Sequence, residues 1–263
     1  MRVIYSIAAT TVGEAIRRKV LLIILFIGVL FVAIAPGLQV LSARQEEAVL
    51  KGLTLGIIQL TSVVIAIVLT VYLIPNEIER RTIYTILSKP VLRAQFLLGK
   101  YLGAVAALAL MMSLMTSVLL VVYAVQNRGG NMSALADLAK PPMMYFVQMS
   151  LLAALAICLS TFVTPLVNFF LSGGLYLIGS LLSTVFQTMN ENPNMPAFTK
   201  YFALIVSSIL PNFAKFNVQN PIINPVSQIQ NETQYYLAAT GYGVIYIGVL
   251  LIIGMLIFEQ REV

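Results

Sequence analysis

The 263-residue chain contains no histidine, which removes Ser/His and Cys/His nucleophile pairs together with histidine-based metal ligation. Its one cysteine, Cys158, excludes a disulfide within the chain and any cysteine-cluster metal site. Asp137 is the sole aspartate, and no pair of carboxylates falls inside an apolar stretch, so a membrane enzyme is the weakest of the possible classes. A phosphate-binding loop is also missing: Gly99-Lys100 is followed by Tyr101 and has no upstream glycine at the required spacing. Charged residues make up 10% of the chain, against about 25% in an ordinary soluble domain. That scarcity excludes a soluble enzyme.

What is present is hydrocarbon. Hydrophobic residues reach 59% and the mean hydropathy is +0.92, with the sixteen Lys+Arg and ten Asp+Glu gathered in short clusters between long charge-free runs. In such a chain a net charge of +6 reports on membrane topology first, and nucleic acid is not an expected partner. A bilayer core of about 30 Å needs about 20 apolar residues as helix. Val20 to Val40, Gly52 to Asn76 and Tyr101 to Asn127 each hold one span. Pro141 to Asn190 is too long for one helix and breaks at Thr161 to Pro165, giving two spans, and Thr233 to Phe258 supplies the last. The expected fold is therefore all-α: a single polytopic domain over 1–263 with six transmembrane helices.

Residues 1–19 place Ile4, Ile7, Ala8, Val12, Ala15 and Ile16 near helical spacing and end on Arg17, Arg18 and Lys19. This pattern predicts an amphipathic helix at the membrane interface rather than a cleaved signal, since no small-x-small site closely follows the first apolar run. Orientation follows from the basic residues. Arg2, Arg17, Arg18, Lys19, Arg80, Arg81, Lys89, Arg93, Lys100 and Arg261 fall on one side, ten against the six of Arg44, Lys51, Arg128, Lys140, Lys200 and Lys215. The first side, with both termini, is expected to be cytoplasmic. On the other side, 191–232 is rich in Pro and Asn around the apolar run Tyr201 to Leu210, too short to span, whose burial would order an external cap.

The apolar intervals hold only mild polar groups, among them Gln59, Ser62, Gln148, Asn168 and Ser172, which read most simply as interhelical hydrogen bonding. Gly99-x3-Gly103 and Cys158 read as packing. More informative is the connection from Pro75 to Gly103. Asn76 followed by Glu79 resembles a capping box, which predicts a helix from about Glu77 that ends before Pro90. Ile78, Thr82, Ile83, Ile86 and Leu87 share one face of it, and Pro90 opens the next helix. The residues alone leave two uses open: a docking helix, or a basic juxtamembrane loop in contact with anionic lipid.

The run Glu77-Ile78-Glu79-Arg80-Arg81-Thr82, then Leu87-Ser88-Lys89-Pro90-Val91-Leu92-Arg93, then Leu98-Gly99-Lys100-Tyr101-Leu102-Gly103, resembles the loop of ABC-type-2 exporter permeases, most of all those associated with multicopper-enzyme maturation. Arg81 departs from the pattern, which commonly has glycine before Thr82. The resemblance implies a permease that is not itself an enzyme and carries no cofactor, paired with a second copy or a similar permease in the bacterial inner membrane. Cytoplasmic ATPase subunits would bind the ATP and Mg. It further implies that 77–89 is the coupling helix, with Glu77, Glu79, Arg80, Arg81, Thr82, Ile83, Ile86 and Leu87 at the ATPase contact. Arg17, Arg18 and Lys19 would lie at the inner interface. Glu77 and Glu79 can equally serve the helix N-terminus by charge alone. The alternative from another class is a non-transporting membrane scaffold or regulator that anchors an ATPase.

Overall fold

An apolar run long enough to cross a bilayer must satisfy its backbone internally, and this chain does so with helices. The computed structural model describes residues 2–37, 46–79, 92–126, 132–191, 198, 201, 205, 210–218 and 231–260. Among them the regular elements are α1 (Arg2–Arg17), α2 (Lys19–Ile34), α3 (Glu46–Val71), α4 (Pro75–Glu79), α5 (Arg93–Gln126), α6 (Met132–Ser160), α7 (Pro165–Glu191), a 3-10 turn (Phe213–Phe216) and α8 (Glu232–Gln260). No strand occurs among the described residues. The protein is an all-α polytopic membrane protein. Five described stretches are long and apolar enough to cross a membrane: Lys19–Gly37, Leu50–Glu77, Arg93–Gln126, Met132–Ser160 and Glu232–Gln260. The fifth of the six spans expected from sequence corresponds to α7, whose described apolar part, Pro165–Leu181, is shorter.

Helix α6 is the axis of the bundle. It packs against α3, α5, α7 and α8, and its apolar stretch is 78% buried, against 22% for those of α2 and α8. The sequence of α6 accounts for this. Leu151, Leu152, Ala153, Ala154, Ala156 and Ile157 are fully buried in succession, as expected of a helix that is apolar all round and enclosed by neighbours. The outer helices keep large side chains exposed, among them Phe26 and Phe31 on α2 and Leu237 and Ile245 on α8. At these positions hydrocarbon replaces water as the surrounding medium.

Two boundaries differ from the sequence expectation. The fourth span was expected to start at Pro141, where charge ends, but α6 begins at Met132 and carries Pro141 and Pro142 inside it. The charges before those prolines are neutralised within the fold: Lys140 Nζ lies 2.7 Å from Asp137 Oδ1 and 2.8 Å from Glu232 Oε2, tying this end of α6 to the start of α8. The break between α6 and α7 falls where expected. Thr161 Oγ1 donates to Cys158 O at 2.7 Å and Asn168 Nδ2 to Ala156 O at 2.9 Å, so side chains add hydrogen bonds to carbonyls in the last turns of α6. Pro165 then occupies the first position of α7.

The second difference concerns the segment before α8. Burial was expected in the Tyr201–Leu210 run; of its described members Tyr201 and Ile205 are exposed and Leu210 is half-buried, while Phe213 and Phe216 are fully buried. Asn212 caps the 3-10 turn by accepting from Ala214 N, its own N–H donates to Tyr242 OH, and Tyr235 OH donates to Lys215 O. Residues 210–218 are therefore pinned to α8 by two tyrosines, and the two rings are the anchor. A pair of phenylalanines spaced by three fits one face of a short 3-10 turn.

Candidate functional site

At the end of the bundle shared by α4, the start of α5 and the end of α8, α1 lies along α5. Its inward residues are Ile4, Ile7, Ala8, Thr11, Val12 and Ala15, with Thr11 and Ala15 fully enclosed, so the amphipathic pattern is used to pack against protein. The close approach depends on two missing side chains. A Cβ at Gly99 would stand 2.8 Å from Ile7 Cβ, and one at Gly103 would stand 2.5 Å from Thr11 Cβ and 2.8 Å from Ala8 O. Gly99-x3-Gly103 is thus the groove for α1.

Between these glycines sits Lys100, one residue from Gly99 and 3% exposed. Its Nζ lies 2.6 Å from Glu77 Oε1 in α4 and 3.6 Å from Glu14 Oε2 in α1, and 5.9 Å from the centre of the Phe96 ring. A cation removed from water to this degree is costly unless paired, and two carboxylates from separate elements compensate it. One buried ammonium therefore joins three parts of the chain that are distant in sequence. Phe96 continues the connection by stacking on Phe258, with ring centres 6.2 Å apart. Arg93 at the start of α5 donates to Phe258 O and Glu259 O, both at 3.0 Å, satisfying the last carbonyls of α8.

The structure gathers part of the expected set. Arg17, Arg18 and Lys19 form the elbow between α1 and α2, where Arg18 is extended (φ −74°, ψ 107°) and interrupts the helix. Glu77 points into the Lys100 cluster, and Glu79 ends α4. Arg80, Arg81, Thr82, Ile83, Ile86 and Leu87 lie outside the described residues, as does the rest of 77–89 beyond Glu79. The proposed cap shifts by two residues: α4 opens at Pro75, and Asn76 is already inside it, its N–H donating to Tyr72 O at 3.3 Å. Proline at the first helical position and a tight turn leaving α3 start this helix without an asparagine cap.

Lys100 and Glu14 were absent from the expected site because each, read along the chain, looked like a boundary charge. The available signal was local: Lys100 is flanked by Leu97-Leu98 and Tyr101-Leu102, an apolar setting that no loop needs. Among the described residues, no three His, Cys, Asp or Glu side chains gather as metal ligands would.

A family model described as "ABC-2 family transporter protein" matches residues 5–263. The chain belongs to the ABC-2 transporter family. This ABC-2 protein is thus an integral membrane protein and a permease subunit of an ABC transporter, and the family implies a partner that binds ATP. No curated protein matches the chain. The family assignment rests on nearly the full length, and the parts of the loop pattern that the structure describes, 77–79 and 92–103, are joined by the Lys100–Glu77 pair.

Proposed function

We propose that this permease subunit serves an exporter in which two permeases, identical or similar, enclose the path and separate cytoplasmic ATPases drive it. In this reading the ATPases hold ATP and Mg, 77–89 is the coupling helix seated on them, and both termini lie on the cytoplasmic side of the inner membrane. The observation that carries it is the Lys100–Glu77 pair at 2.6 Å. A push on the segment that leaves α4 pulls on Glu77, hence on Lys100 in α5 and, through Glu14, on α1. The pair is nearly dry, so its attraction is only weakly screened and the three elements move together. Membership of a transporter family favours this reading over a passive scaffold.

The test is recovery of the ATPase when the full-length chain is affinity-purified from its native membrane. A charge on the apolar face of 77–89 would be desolvated without a partner on docking. Ile83→Asp or Ile86→Asp should therefore lower recovery by roughly a hundredfold while the chain remains in the membrane. Undiminished recovery for both variants, with strong loss on neutralising Arg80, Arg81 and Arg93 together, would replace the docking helix by a lipid-binding loop.

A further inference from the structure

We infer that a cleft between α3, α6, α7 and the 3-10 turn is a binding station for an uncharged, hydrogen-bonding group carried on an apolar tail. The inference rests on the transport reading and assigns the class of substrate. The cleft holds about 280 Å³, near the lower end of the range of roughly 300–1,000 Å³ typical of small-molecule sites. Its polar lining converges from three helices. Gln59 Nε2 lies 3.3 Å from both Gln148 Oε1 and Tyr176 OH, and Gln148, 1% exposed, donates through Nε2 to Phe213 O at 2.9 Å.

Two observations point to an occupant. The two contacts of Gln59 are long, and among the described residues its Oε1 accepts nothing. A ligand that both donates and accepts would complete the hydrogen bonding of Gln59 at the cleft wall. Finally, the lining includes Leu60, which is 68% exposed and stands midway along α3, so the cleft opens where a tail can remain in hydrocarbon.

The lining also sets the charge of the ligand. It contains amides, hydroxyls and apolar groups and no carboxylate, ammonium or guanidinium. An ionised headgroup would be stripped of water there without a counter-charge, whereas an alcohol, ester or amide finds partners in Gln59, Gln148 and Tyr176. A resting lipid keeps its headgroup at the interface. A hydrogen-bonding station halfway along a span suits a headgroup in transit.

The experiment uses the full-length chain in phosphatidylcholine nanodiscs with two photoreactive probes, each with a diazirine beside the glycerol: a diacylglycerol and an anionic phosphatidylglycerol. Adducts are mapped by mass spectrometry. The diacylglycerol probe should mark 56–63, 176–180 and 213–217 at least about tenfold more than the anionic probe, the ratio for 1.4 kcal/mol. Two variants test the cleft. Gly56→Leu fills it, since nothing lies within 4 Å of where a Cβ at Gly56 would stand, and should abolish these adducts. Gln59→Leu, close in size, should reduce them about fivefold by removing roughly one hydrogen bond. Equal marking by the two probes, or adducts that persist in Gly56→Leu, would overturn the inference. ATPase recovery by the wild-type chain is read in parallel. If the ATPase is recovered and the cleft is unmarked, the station alone fails; if the cleft is marked and no ATPase is recovered, the coupling reading fails.

Discussion

Lys100 concentrates the energetics of the bundle end shared by α1, α4 and the start of α5 in one side chain. With Lys100 3% and Glu77 14% exposed, neither group has bulk water to fall back on. Removing one member of such a pair typically costs about 3–5 kcal/mol, because the other charge stays in place without its compensation. Lys100→Met should therefore lower the unfolding midpoint of the purified chain sharply. Adding Glu77→Gln should restore most of the loss, since a buried pair replaced on both sides is often close to neutral. Glu14 is 49% exposed and 3.6 Å away, so Glu14→Gln should change stability by under about 1 kcal/mol. Denaturant titration of the three variants orders them. A Lys100→Met chain as stable as wild type would show that the pair is not a structural lock.

At the scale of elements, the seating of α1 on α5 depends on what Gly99 and Gly103 lack. A valine at 103 would place its Cβ 2.8 Å from the Ala8 carbonyl oxygen, which is backbone and cannot rotate away, so α1 must shift. Overpacking of this kind costs typically about 1–3 kcal/mol. Gly103→Val should raise amide exchange over Arg2–Arg17. Gly13 provides the control: nothing lies within 4 Å of a Cβ there, so Gly13→Ala should leave exchange unchanged or slow it, as alanine favours helix by about 1 kcal/mol. Equal exchange in Gly103→Val and wild type would contradict the groove.

The sequence made some of this visible and hid the rest for physical reasons. Charge-free runs and the Thr161–Pro165 break mark spans because burying charge and bending at proline are local costs. The amphipathic pattern of α1 was equally visible, but a stripe of Ile and Ala does not say whether it meets lipid or the glycines of another helix. The start of α6 was not legible because Asp137 and Lys140 interrupt the charge-free run, while in the fold they pair with each other and, across 92 residues, Lys140 pairs with Glu232. The cleft was the least legible feature: Gln59 meets Gln148 across 89 residues and Tyr176 across 117, and each alone is an ordinary polar residue in a span.

For the whole molecule, the structure joins the two ends of the chain at one end of the bundle. Glu14 of α1 meets Lys100, and Phe258 near the close of α8 meets Phe96 and Arg93, all within the first turns of α5. Whatever side holds one of these groups holds them all, so topology reduces to one binary choice. The proposed orientation takes that choice from the basic residues near the spans. Among the described residues this end gathers Arg17, Arg18, Lys19, Arg93 and Lys100 close to helix starts, whereas the other end has Lys51, Lys140 and Lys215. Positive residues retained on the cytoplasmic side during insertion therefore favour α1 and the end of α8 inside. In a Cys158→Ser background, Met132→Cys, at a position 82% exposed at the start of α6, should react with a membrane-impermeant maleimide on intact cells. Arg17→Cys at the elbow should react only after the membrane is opened. The reverse pattern would invert the protein and, with it, place the Lys100 cluster where no cytoplasmic ATPase could reach it.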